Sequence, residues 1–243
     1  MEIVKGKVNR GRISVVYGPH GVGKTTFGCQ FPEPLVVDIE NGCADLDVDR
    51  TPHITSYQEL IDAFKWFYAE GGKSYKTLVI DSIDHAEYLI HQHICAEAKV
   101  DALADIEWGK GKQRAMRKFG DLLHMIAMIR DTHNCEVVVI AHDDIRRVED
   151  PEVQSYDRHE PKTVIKDASS LLCEWADEVL YAHHSVRVKS ETGAFGKQST
   201  RAMDRTERLL RTTYKPTVVA KNRLNLDEVI PFTFEEYSKN RDF

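Results

Sequence analysis

Short apolar runs rich in Val and Ile recur along the chain, RISVVYG at 12–18, PLVVDIE at 34–40, TLVIDS at 77–82 and EVVVIAH at 136–142. Each reads as a strand buried on both faces. Between them apolar positions recur with helical spacing over 24–30, 57–70, 84–99 and 111–132. Strands alternating with helices predict an α/β fold, a mainly parallel sheet flanked by helices. After His142 the pattern breaks. Residues 143–167 hold little apolar periodicity and contain Pro151 and Pro161, which predicts a long mobile loop. A helix at 166–177 follows, then alternating segments at 178–189 and 207–220, which predict antiparallel strands added to the sheet near the C-terminus. No repeat or linker divides the 243 residues, so one domain over 1–243 is expected.

Composition changes this picture little. With 42% hydrophobic and 30% charged residues the chain reads as soluble, and no apolar run approaches the roughly 20 residues of a membrane span, so no membrane partner is expected. The N-terminal segment lacks the apolar core of a secretory signal, which predicts a cytoplasmic location. Five cysteines form no CxxC pair, so neither a zinc ribbon nor a disulfide framework is expected. The net charge of −6 is uneven: Arg187 to Arg223 holds ten Lys or Arg against three acids, leaving −13 on the rest. Such a basic segment on an acidic body can meet phosphates locally.

The strongest chemical signal is GPHGVGKT at 18–25, which fits G-x-x-x-x-G-K-[ST] with a strand before it and a helix after it. In that context Gly18, Pro19, His20, Gly21, Val22, Gly23, Lys24, Thr25 and Thr26 form a phosphate-binding loop. Lys24 is expected to reach the β and γ phosphates of ATP, and Thr25 to place its hydroxyl on Mg²⁺. Asp81 ends the strand TLVID and is expected to hold the same Mg²⁺, with Ser82 and Asp84 as weaker candidates for that shell. Hydrolysis needs a group to orient the attacking water. Ser82 occupies the place directly after Asp81 where many ATPases carry a Glu, so Glu40 at the end of PLVVDIE is the candidate, with Asp38 second.

These residues resemble the RecA-type recombinase superfamily, whose catalytic Glu sits on the strand after the phosphate-loop helix. The resemblance implies a RecA-like P-loop core ATPase in which His142, ending EVVVIAH, senses the γ-phosphate in place of the more usual Gln. It also implies that Lys221 and Arg223, in TVVAKNRLN, act as a finger on the nucleotide of an adjacent subunit, so that the protein works as a ring or filament of identical chains. The YDRHEPK, EWADEVLYA and AKNR segments look like a phage-type subfamily of nucleotide-binding proteins that includes single-strand annealing and recombination proteins. The cytoplasm would then be that of the host.

On that resemblance, residues 143–167 stand where the superfamily has its DNA-binding loops. Arg146, Arg147, Lys162 and Lys166 would meet phosphates of single-stranded DNA, Tyr156 would stack on a base, and a single-strand DNA-binding protein would be a further partner. Acids at 143, 144, 149, 150 and 152 in the same segment leave open an acidic lid or a subunit contact. Two other functions share these motifs: a ring helicase or helicase loader, and a nucleotide-gated protein-binding scaffold with little hydrolysis.

Overall fold

The structure is a computed structural model that describes residues 3, 5, 6, 10–185, 188–192, 198–202, 207–239 and 241. In chain order the elements are β1 (Ile13–Gly18), α1 (Lys24–Gly28), β2 (Pro34–Asp38), β3 (Asp49–Arg50), α2 (Tyr57–Ala69), β4 (Thr77–Asp81), α3 (Ile83–Ala98), α4 (Lys110–His133), β5 (Glu136–Val148) and β6 (Tyr156–Pro161). There follow α5 (Lys166–Trp175), β7 (Glu178–His184), β8 (Val188–Thr192), β9 (Gln198–Ala202), β10 (Arg208–Arg211), β11 (Val229–Pro231) and α6 (Phe234–Ser238).

Among the described residues one sheet runs in the order β11-β10-β7-β1-β5-β4-β2-β3, with β6 added to β5, and β8 and β9 form a separate pair. From β7 to β3 neighbouring strands are parallel, whereas β10 and β11 pair antiparallel near the C-terminus. The continuous apolar runs are explained by two cores, one on each face. Ile13, Val15 and Tyr17 face the layer of α2, α3, α4 and α5, while Val16 faces the smaller core beneath α1 and α6. The same alternation separates Leu78 and Ile80 from Val79, and Val137 and Val139 from Val138 and Ile140. Helix α2 starts in a capping box, Ser56 with Glu59, and buries Leu60, Phe64 and Phe67 along one stripe. No described helix is long and apolar enough to cross a membrane.

Several boundaries differ from the sequence reading, each for a local reason. Strand β2 stops at Asp38 because the N–H groups of Ile39 and Glu40 both turn to the Asp81 carbonyl, at 2.8 and 3.1 Å. Helix α1 ends at Gly28 rather than 30, where i to i+3 bonds tighten the chain ahead of Pro32. The segment 207–220 is a strand only over Arg208–Arg211. Lys215 and Val218 then close a turn around Pro216, and the chain returns so that Lys221 pairs with Val179.

The largest correction concerns 143–167. In place of a long loop, β5 continues past His142 to Val148 and pairs antiparallel with β6, from Asp143 opposite Pro161 to Val148 opposite Tyr156. Both faces of this hairpin are rich in charge, and its contacts include Arg147 with Asp157 and Arg146 with Asp144, so apolar periodicity could not reveal it.

Candidate active site

The phosphate loop leaves β1 at the carboxyl end of the sheet. Gly18 is required there by crowding, since a Cβ would lie 2.0 Å from the Ala182 carbonyl oxygen on β7. Gly23 has φ 103°, and a Cβ on it would meet the Arg208 guanidinium at 2.7 Å. Strand β5 lies between β1 and β4, so the Asp81 carboxylate is delivered one strand away from the loop. Thr25 reaches it, its Oγ1 donating to Asp81 Oδ2 at 2.7 Å. Burial pushes the Asp81 pKa up to about 6, with the Thr25 hydroxyl opposing that rise. A hydroxyl and a desolvated carboxylate in contact form a hard oxygen pair that could hold a small divalent cation. The Asp81–Ser82 peptide is cis.

Lys24 is buried and folds back over the loop, Nζ donating to the carbonyls of Gly18 at 2.8 Å and Pro19 at 3.0 Å. Burial lowers its pKa, and the nearby carboxylates of Asp81 and Glu40 partly restore it. Together His20, Lys24, Thr25, Glu40, Asp81 and His142 line a cavity of about 330 Å³. Gly23 and Thr26 open from it onto a second cavity of about 420 Å³, bounded by Gln30, Arg208, Phe232 and Phe234. A cavity of about 580 Å³ beside Arg50, His53 and Trp66 holds none of the motif residues.

Glu40 sits two residues beyond β2, its backbone N–H donating to the Asp81 carbonyl at 3.1 Å, which ties the segment carrying its carboxylate to the end of β4. His142 Nε2 lies 3.5 Å from Glu40 Oε1, and His142 Nδ1 lies 2.9 Å from Asp84 Oδ2. Asp84 also accepts from the His142 backbone N–H at 3.3 Å. The hydrogen bond to Asp84, then that to Glu40, raise the His142 pKa to about 9, so the ring is an imidazolium at neutral pH. In return the bond from His142 lowers the Glu40 pKa and keeps it ionised. Burial pushes the Asp84 pKa upward, but His142, with Ser82 and His85 beside it, more than offsets this. The His20 ring stacks 4.0 Å from that of His142, and the neighbouring charge lowers its pKa.

This triad has a measurable signature. The raised His142 pKa stabilises the fold fully below about pH 6.5, and the contribution disappears as pH rises through about 9. Each tenfold change in proton affinity is about 1.4 kcal/mol, so the contribution is on the order of 3 kcal/mol. His142→Gln is therefore expected to be markedly less stable than wild type at pH 6 and to differ little at pH 9.5 in urea denaturation. An equal difference at both pH values contradicts the charged triad.

The expected site residues thus divide. Gly18 to Thr26, Glu40, Asp81 and His142 converge on one end of the sheet. Asp38 does not line the cavity, its carboxylate instead accepting from the Gly42 backbone at 3.3 Å. Ser82 bonds His85, and Asp84 serves His142, so neither contacts Thr25 as Asp81 does. Lys221 and Arg223 lie at the opposite end of the central strands. Arg223 pairs with Asp177 at 2.9 Å, and Lys221 Nζ donates to the Glu174 carbonyl at 3.2 Å. They are therefore no part of this chain's own phosphate site.

In the hairpin, strand alternation sends Arg146 and Tyr156 to one face and Arg147 to the other. Arg146 is largely buried and donates to Asp144 and to the Thr163 carbonyl, whereas Arg147, Lys162 and Lys166 are exposed. Arg187, Lys197 and Arg205 of the basic segment lie outside the described residues. The positioning role of Asp84 and the wall formed by Arg208, Phe232 and Phe234 went unseen in the sequence. They come from segments far from the motif, and only the proximity of Asp84 to Asp81 gave any signal.

A family model described as an AAA domain matches residues 10–224. No curated protein matches the chain at a significant level. Among solved structures the chain is similar to that of the RadB recombinase, at 12% identity and TM-score 0.49, over 95% of this chain and 91% of that one. Because the family match takes in everything from the strand before the phosphate loop to the residue after Arg223, the chain belongs to the AAA-domain family and is a P-loop nucleotide-binding protein.

Proposed function

We propose that the protein is a RecA-like ATPase that uses Mg²⁺·ATP and acts on single-stranded DNA, in recombination or annealing, as an assembly of identical subunits. One observation carries this reading: Glu40, fixed to Asp81 through the backbone, shares a cavity with Lys24, Thr25 and the imidazolium of His142. A bare nucleotide-binding scaffold has no need of an ionised carboxylate held at the mouth of a phosphate loop.

In this reading the loop amides and Lys24 bind the β and γ phosphates, and the base and ribose enter the cavity between Arg208 and Phe234. Mg²⁺, held by Thr25 and Asp81, would neutralise phosphate charge. Glu40 accepts the proton of the attacking water. The Nε2 of His142 exchanges its Glu40 contact for a γ-phosphate oxygen, which frees Glu40 and reports the nucleotide state. That report has a direct route outward, because His142 belongs to the same strand that becomes the hairpin, and its carbonyl accepts from the Lys162 N–H at 2.8 Å. Arg147, Lys162 and Lys166 are the exposed cations of this region offered to DNA phosphates.

A trans role for Lys221 and Arg223 requires the carboxyl end of one sheet to face the amino end of the next, a head-to-tail interface that builds a ring or a filament. Arg223→Ala alone is expected to lose most ATP hydrolysis. Mixed with a Lys24→Ala chain it should regain part of it, because intact loops then meet intact fingers. Electron microscopy should show assemblies only with ATP and single-stranded DNA. Monomers under all conditions, and no recovery on mixing, sink the oligomeric part of the reading.

A further inference from the structure

A fourth cavity, of about 650 Å³, opens on the other side of the phosphate loop, between one face of the β5–β6 hairpin and the ends of β7 and β10. Pro19, Ile145, His159, Tyr181, His183 and Lys215 are among its walls. Its volume falls in the range of about 300 to 1,000 Å³ usual for small-ligand sites. We propose that this cleft binds single-stranded DNA by stacking a base on the His183 ring, which Tyr181 backs, while Lys215 and Arg211 take the strand phosphates. The inference rests on the reading that the protein acts on single-stranded DNA, and it says where the strand lies.

The argument begins with ring geometry. Tyr181 and His183 are alternate residues of β7 and therefore share a face, with ring centroids 5.1 Å apart and planes 16° from parallel. Behind them the Tyr17 ring lies 5.0 Å from Tyr181, and the His159 ring 4.9 Å from it on the hairpin side. Hydrogen bonds hold these rings in place. Tyr17 donates to the Val219 carbonyl at 2.7 Å, and the hydroxyl of Tyr181 and Nδ1 of His159 are 3.1 Å apart. The Tyr17 and His159 rings are tilted 36° and 32° to Tyr181, which is itself buried, so the half-buried His183 ring, stacked on Tyr181, is the π-face this cleft offers to a base without regard to sequence. Burial lowers the His183 pKa, so its ring is neutral at physiological pH.

The charges around the cleft agree with this occupant. Its two acids are each engaged, Asp143 with the His159 ring at 3.1 Å and Asp157 with the Arg147 guanidinium at 3.4 Å. Lys215 is exposed and makes no ion pair among the described residues, and the nearest acid to Arg211 is the exposed Glu228 at 3.9 Å. A strand bound here also touches the nucleotide machinery. Asp143 follows His142 directly, and Pro19 belongs to the phosphate loop.

The test uses the full chain with Mg²⁺ and a slowly hydrolysed ATP analogue, and two fluorescent probes: an oligodeoxythymidine and an abasic strand of the same length. Wild type is expected to bind the oligodeoxythymidine roughly tenfold or more tightly than the abasic strand. His183→Ala, and independently Tyr181→Leu, should erase most of that preference. Lys215→Glu should weaken both probes alike. Retained binding of the ATP analogue shows that each variant is folded. If wild type binds neither probe, the single-stranded DNA reading itself fails and the cleft with it. If wild type prefers the oligodeoxythymidine and both ring variants keep the preference, DNA binds elsewhere and only the cleft is overturned. If free deoxythymidine monophosphate competes as well as the oligonucleotide, the cleft is a mononucleotide site, which also overturns the proposal.

Discussion

Glu40→Gln is expected to lower ATP turnover by about a hundredfold or more while changing ATP affinity by less than about threefold. General-base assistance contributes roughly 10² to 10⁴ to such reactions, and glutamine cannot accept the proton. Glutamine does retain a carbonyl oxygen for the His142 Nε2–H, and the backbone bond from residue 40 to Asp81 is untouched. Binding and chemistry should therefore separate. Single-turnover hydrolysis beside equilibrium binding of a fluorescent ATP analogue checks this. Wild-type turnover in Glu40→Gln would remove Glu40 from the chemistry and turn attention to Asp45, which lines the same cavity. A comparable fall in affinity would instead mark Glu40 as part of the binding surface.

The second large effect is on binding. Lys24→Ala is expected to weaken ATP by at least about a hundredfold, because a charge-assisted contact to phosphate in a partly desolvated site is lost. The apo protein should be no less stable for it. Burial lowers the Lys24 pKa, so the ammonium stands in the loop at some cost, and its bonds to the Gly18 and Pro19 carbonyls only partly offset that. Thermal denaturation with and without Mg²⁺·ATP separates the two effects: the variant should melt near wild type alone and gain nothing from nucleotide. Stabilisation of Lys24→Ala by ATP equal to that of wild type would mean that the nucleotide is held elsewhere.

The parts of this site that were legible in the sequence are those the chain writes contiguously or at strand ends. The eight residues from Gly18 to Thr25 declare their conformation by glycine spacing. Asp81, Glu40 and His142 each follow an apolar run, and in a parallel sheet all such ends meet at one edge. What required the structure was anything set by the neighbour of a neighbour. Asp84 was visible as a carboxylate near Asp81, but only the position of α3 turns it toward His142.

The hairpin was missed because its strands carry charge on both faces, and charge alternates without an apolar signal. Nothing in the sequence around Lys221 and Arg223 tells which end of the sheet they occupy. That was decided by the turn at Pro216, which sends the chain back toward Asp177. Adjacent positions such as Arg146 and Arg147 look equivalent in a loop. In a strand they part to opposite faces, one tied into the protein and the other exposed.

The most direct test of the central claim is steady-state ATP hydrolysis by the wild-type chain, with Mg²⁺ or with EDTA, and with or without saturating single-stranded DNA. The account predicts hydrolysis that requires Mg²⁺ and rises severalfold or more when single-stranded DNA is present. Tight ATP binding with no hydrolysis above background, in the presence and absence of DNA, would contradict it.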